Sequence, residues 1–136
     1  MGRKPLLSYV RQTCAALLVA AACSCGSAVD DGALLADYRS GTAAEVTVQG
    51  SVIELLPDTR GTDGPHENFD IVVSGLVVRI VHNLSLAPRV PVTVGATVVV
   101  HGQFEPDPSG PVIHYTHHAT GSHEGGSIEL GGRTYQ

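Results

Sequence analysis

The chain has 136 residues, 43% of them hydrophobic and 15% charged, with 8 Lys and Arg against 13 Asp and Glu. That length holds one domain once a leader is set aside, and the apolar content excludes a disordered tail. The 16 Gly and 8 Pro follow no period, which excludes a collagen-like rod and leaves a small β-rich domain.

Residues 1–22 read as a bacterial signal peptide, because Arg3, Lys4 and Arg11 come without an acid and lead into the apolar run Cys14 to Ala22. The run is shorter than the ~20 residues of a bilayer-spanning helix, so no permanent anchor helix is expected. Cys23, after small residues, resembles a lipobox and predicts a lipidated N-terminus there. Ala20-Ala21-Ala22 also fits a site for plain secretion, and Cys25 is a second choice for the lipid. The expected location is the periplasm or cell envelope, lipid-anchored, otherwise secreted.

Cleavage before Cys23 would remove three bases and no acid, moving the net charge from −5 to −8. The remaining body has no lysine, and its only cations are Arg39, Arg60, Arg79, Arg89 and Arg133. It therefore lacks the dense positive surface that binds nucleic acid, and Tyr38, Phe69, Phe104, Tyr115 and Tyr135 are too few for a base-stacking platform. No nucleic acid is expected as a partner, and a membrane is reached only through the lipid on Cys23. All three cysteines lie at or before position 25, so the body has neither a disulfide nor a thiolate metal ligand.

Residues 23–32 read as a flexible tether, and 33–136 as a single β-barrel-like domain. A short helical turn is expected at 33–39, with Leu34, Leu35 and Tyr38 on one face. Val46, Val48 and Val52 alternate with polar residues around Gly50, which predicts a long coiled strand near 45–55. Pro57, Asp58, Gly61, Gly64 and Pro65 mark a loop over 57–67. Phe69 to Ser74 and Leu76 to His82 read as a hairpin turning at Gly75, and Asn83 to Pro91 as irregular chain. Val94 to Phe104 holds a turn and the strongest strand, Glu105 to Gly110 a loop, and Pro111 to Thr116 a fifth strand. Ile128 to Leu130 and Arg133 to Tyr135 flank Gly131-Gly132 as a closing hairpin. The fold class is all-β: a small five-stranded OB-like barrel with a short N-terminal helix and a C-terminal hairpin, with a generic five- or six-stranded roll as the alternative.

The seven histidines all fall between positions 66 and 123. If Phe104 faces Pro111 across the loop, His101 lies opposite His114, with Val98, Val100, Ile113 and Tyr115 on the other face. Side chains directly opposite have Cβ atoms ~4.5–5.5 Å apart, close enough for two imidazoles to share a metal such as zinc. A third ligand would come from His117, His118 or His123, after a bend at Gly121. The competing reading gives these histidines structural or merely exposed roles.

His66-Glu67 and His123-Glu124 begin like a zinc-protease motif but fail at the second histidine, and no phosphate loop or nucleophile elbow is present. The carboxylates Glu54, Asp58, Asp63, Glu67 and Asp70 read as a solvated acidic loop. His82 and Asn83 open the irregular excursion, where Leu84 and Leu86 could plug the barrel bottom and Arg89 is expected to pair with an acid.

Several stretches resemble a known family: Val48-Gln49-Gly50, Leu55-Leu56-Pro57-Asp58, His82-Asn83, Leu86 to Pro91, Val112-Ile113-His114-Tyr115-Thr116-His117-His118, Gly121, His123 and Gly132 to Gln136. From Val46 onward the chain is similar to domain of unknown function 3465, found in small exported bacterial proteins. The resemblance implies an exported β domain and supplies no activity. Relatives tend to carry Trp where this chain has Tyr115 and Ser127, and Asp-Pro where it has Ala119-Thr120. An uncharacterised exported protein, acting as a non-catalytic binding or structural module, is the first expectation. A protein holding a divalent metal in its His cluster, or a metal-dependent hydrolase, is the alternative.

Overall fold

The computed structural model describes residues 27–107 and 109–136, together with Gly2. The expected leader, Cys23 and Cys25 lie outside the described residues.

The first element, α1 (Asp31–Ser40), starts where Asp30 accepts a hydrogen bond from the Ala33 N–H at 2.9 Å. Asp31 in the first turn and Arg39 in the last complement the helix dipole. Asp31 and Gly32, expected in the tether, are thus the first turn of the helix. The reason is local: Asp30 supplies the cap, and its own N–H bonds to the Thr47 carbonyl. Leu34 is the only residue of α1 that is fully buried, and Tyr38 is 44% exposed instead of sharing its face.

Among the described residues seven strands then follow: β1 (Ala44–Gly61), β2 (Gly64–Val73), β3 (Leu76–Asn83), β4 (Thr97–Glu105), β5 (Val112–His114), β6 (Ser127–Leu130) and β7 (Arg133–Tyr135). The expected loop over 57–67 is in fact the tip of the β1–β2 hairpin. Pro57 is accommodated because the ladder shifts register between Leu56 and Thr59, as it does between Val52 and Glu54. At such bulges a missing N–H costs no ladder bond, and the strand bends. β2 and β3 meet at Ser74-Gly75, both with positive φ (47° and 88°), the backbone that a two-residue hairpin needs. The expected fifth strand is shorter than 111–116, because Tyr115 leaves it with φ 55°.

The seven strands form one sheet in the order β1-β2-β3-β5-β4-β6-β7, with a further pairing of β1 to β4. The pairings therefore run β1–β2–β3–β5–β4 and return to β1. All are antiparallel except β3–β5, where Arg79 faces Val112 and Ile80 faces Ile113. β6 and β7 extend from the half of β4 that β5 leaves free, as the hairpin expected at Gly131-Gly132.

The inward alternation follows the sequence pattern. Val46, Val48, Val98, Val100, Phe104 and Ile113 are buried with Phe69, Ile71, Val78 and Ile80. Leu84 and Leu86 are only half-buried; Ala87 and Val90 are the buried hydrophobic residues of that excursion. Phe104 sits where β1, β4 and β5 meet, between Ala44 and Ile113. Phe104→Ala is expected to cost about 3–5 kcal/mol, read as a lower urea midpoint with an unchanged slope.

Candidate functional site

The polar chemistry concentrates around the end of β5. Its register against β4 pairs Phe104 with Ile113 and Gln103 with His114, two residues away from the register expected from the loop length. His101 and His114 are consequently not opposite each other. His101 lies between Thr47 on β1 and Ser127 on β6. The displacement has a physical cause: the Pro111 carbonyl accepts the Arg79 N–H at 3.0 Å, and Ile113 is held in the core beside Ile80. The contact with β3, not the loop after β4, sets where β5 lies.

Beyond His114 the chain turns at Tyr115, which is 38% exposed and not on the inward face. The Tyr115 ring stacks between His114 (centroids 4.0 Å apart, planes at 25°) and His123 (4.1 Å, 8°). His117 meets His123 edge-on at 4.8 Å. Two glycines make this packing possible. A Cβ on Gly102 would lie 2.5 Å from the His114 carbonyl oxygen, and one on Gly126 would lie 2.5 Å from that of His101. The Gly126 N–H donates to the His117 carbonyl at 2.8 Å, tying the bend to β6. Gly102, Gly126 and Glu45 carry no signal of a site in the sequence, Thr116 stands out there only within the family run, and Glu124 only in the failed zinc-protease pattern. Only the pairing of β4 with β5 and β6 brings them together.

Hydrogen bonding fixes the imidazole tautomers. His82 is fully buried; its Nε2–H donates to the Pro88 carbonyl at 3.1 Å and its Nδ1 accepts from the Thr116 hydroxyl at 2.7 Å. His101 donates from Nδ1 to the Val46 carbonyl at 3.0 Å, with the Thr47 hydroxyl also 2.8 Å away. His117, 3% exposed, donates from Nδ1 to the His118 carbonyl at 2.9 Å, and His123 likewise to Glu124 at 2.6 Å. His114 Nε2 is shut off from solvent with no hydrogen-bond partner, 3.8 Å from a Glu105 oxygen. His118 is exposed, and His66 lies 3.3 Å from Asp63.

Burial pushes the pKa values of His82, His114 and His117 down. Burial likewise pushes Glu45 up, partly offset by His101, and Glu67 up, offset by the Val90 N–H and Arg89.

Of the candidates, His114, His117, His118 and His123 are thus gathered at the bend after β5, against Tyr115 or one another, while His101 lies between β1 and β6. Among the described residues no three His, Cys, Asp or Glu side chains form a group that could hold a metal ion. Asn83 and Arg89 are occupied structurally. Asn83 donates to Asp63 at 2.9 Å and accepts from the Ser85 N–H, while Arg89 binds Asp58 through both terminal nitrogens and lies 3.5 Å from Glu67. Glu67 and Asp70, expected in a solvated loop, are buried on β2, where Glu67 accepts the Val90 N–H and Asp70 holds Arg79.

The family description that matches is Protein of unknown function (DUF3465), over residues 16–136. The chain belongs to this family. The match spans the His114 to His123 bend, which follows β5, and the C-terminal hairpin, which pairs with β4. No curated protein and no solved structure matches the chain.

Two expected outcomes follow from these imidazoles. His82 is held neutral in the folded chain, whereas the unfolded chain takes up a proton below the ordinary histidine value of ~6.5. Its stabilisation is present above that value and is lost as the pH falls below it; His114 and His117 act in the same direction. The urea midpoint should fall between pH 7.5 and pH 5.5, and His82→Gln should flatten that fall by up to about 1.4 kcal/mol per pH unit. Equal slopes in the two proteins would remove His82 as a cause. Titration with zinc, followed by chelator, should leave the melting temperature unchanged. A ligand that binds only the folded state at 100 times its Kd stabilises by about 2.7 kcal/mol, so a true zinc site would be plain in the melt.

Proposed function

We propose that this chain is an exported, lipid-anchored binding module built on a small OB-like barrel, with no catalytic role of its own. The observation that carries the reading is the pairing circuit β1–β2–β3–β5–β4–β1 with its single parallel step at β3–β5. A long first strand bent by two bulges supports it, because bulges add the coil that a small barrel needs. The inner and half-buried imidazoles support a structural role. His82, His101, His117 and His123 each spend a ring N–H on a backbone carbonyl. The binding role draws on a recess of about 680 Å³ on the outward side of β1, β4, β6 and β7.

The membrane attachment rests on the leader pattern and Cys23. Lipid on Cys23 would place the domain within a few residues of a bilayer, since α1 begins at Asp31. Labelling cells with radioactive palmitate tests this directly. The full chain should incorporate label and fractionate with membranes, and Cys23→Ala should lose both properties. An unlabelled wild-type chain in the soluble fraction would sink the anchor, and label retained by Cys23→Ala would move it to Cys25.

A further inference from the structure

Between the end of β5 at His114 and the start of β6 at Ser127, residues 115–126 belong to no strand. Outside the ladders, the one backbone hydrogen bond of this strap among the described residues is internal, from the Gly126 N–H to the His117 carbonyl at 2.8 Å. Side chains therefore hold it to the sheet. Thr116 and His117 are buried, and the Thr116 hydroxyl donates to His82 Nδ1 on β3 at 2.7 Å. The Tyr115 ring is packed by three imidazoles: His114 and His123 stack on it at 4.0 and 4.1 Å, and His117 stands at its edge at 6.3 Å. His117 also meets His123 at 4.8 Å and His118 at 6.0 Å.

Neutral rings pack this way without electrostatic cost, whereas protonated ones would hold like charges at those spacings in a partly dry site. One imidazolium against Tyr115 would be favourable, but a second stacked on the same ring and a third at its edge would repel it. Burial is the first cause that keeps His114 and His117 neutral, and the charge of His123 works in the same direction on both. Two acids oppose this. Asp63 at the β1–β2 tip favours a proton on both rings and Glu105 on β4 favours one on His114, but their side chains are 59% and 45% exposed, so water screens them. The remaining titratable groups are His82 on β3, acted on by His66 of β2, and Glu45 on β1 with His101 on β4, which interact with His123 and Glu124 at the far end of the strap. Protons are the ions this cluster can take up, since among the described residues no three ligating side chains form a group that could hold a metal.

We propose that residues 115–126 are an acid-released strap, closed on the sheet while its imidazoles are neutral and detached as a unit from the intact sheet once they are protonated. Release would uncover His82 at the end of β3 and Gly102 on β4, where a Cβ would lie 3.1 Å from Thr116 Cγ2. The surface that the module offers would then depend on pH. The inference goes beyond the module reading and stands without the lipid, because every group involved belongs to the folded domain.

Amide hydrogen exchange of the full chain in mild detergent, read by mass spectrometry at pH 7.5 and pH 5.0 and corrected for the intrinsic pH dependence of exchange, tests it. Peptides from 115–126 should lose at least tenfold of their protection at the lower pH, while those from β2 and β3 keep theirs, and a return to pH 7.5 should restore it. His117→Asn keeps a side-chain N–H near the His118 carbonyl but takes up no proton, so it should cut the acid-induced loss at least threefold. If that variant is already open at pH 7.5, His123→Asn decides instead, because His123 is only half-buried. Unchanged protection of the strap at pH 5.0, equal loss in β2 and β3, or an undiminished loss in the deciding variant would overturn the proposal. Palmitate labelling of the same chain would be unaffected by that failure.

Discussion

The contact on which the rest of the structure depends is the short parallel pairing of β3 with β5. Arg79 bonds to the Pro111 carbonyl, and Ile80 and Ile113 face each other in the core. That step joins two antiparallel ladders into a circuit, and it places β5 against β4 at the same time. Because β5 has only three residues, its position against both neighbours is decided by one buried isoleucine and a few backbone bonds. Moving it by two residues would keep Tyr115 facing as a strand residue should, but it would withdraw Ile113 from Ile80 and leave the Arg79 N–H without its carbonyl.

Everything at the bend follows from that placement. His114 is the last strand residue, Tyr115 turns with positive φ, and Thr116 and His117 point into the protein. Thr116 then meets His82 at the end of β3, so the imidazole is buried with both nitrogens satisfied. A buried neutral histidine is tolerated only on those terms, since an unmet ring nitrogen would carry the full cost of its lost hydration. Gly102 and Gly126 complete the arrangement by allowing backbone to approach where a side chain would collide.

The distribution of charge has a similar logic. A body with five arginines, no lysine and a clear excess of acid has few cations to share, and two of them are committed to buried or half-buried carboxylates. Arg79 holds Asp70 across β2 and β3, and Arg89 fastens the irregular excursion to Asp58 and Glu67. The recess on the outward face of β1, β4, β6 and β7 is lined by Glu124, Glu129 and His101 together with Thr, Ser, Val, Gly and Gln residues, and by no arginine.

Much of the architecture was legible in the residues themselves. Period-two alternation around Val46, Val98 and Phe69 marked the strands. Ser74-Gly75 and Gly131-Gly132 marked the tight turns, and the run from Val112 to His123 marked the family. These are local signals, set by backbone conformation and by which side of a pleat must leave water. The β1–β2 hairpin tip, read as a loop from its Pro and Gly content, shows where local signals mislead, because bulges let Pro57 remain in a ladder. Which histidines meet was decided only in three dimensions. Strand periodicity assigns a residue to a face but does not distinguish registers two residues apart, since both bury the same side chains. The choice fell to the core contact of Ile113 with Ile80 and to the backbone bond at Pro111, which join segments more than thirty residues apart in the chain.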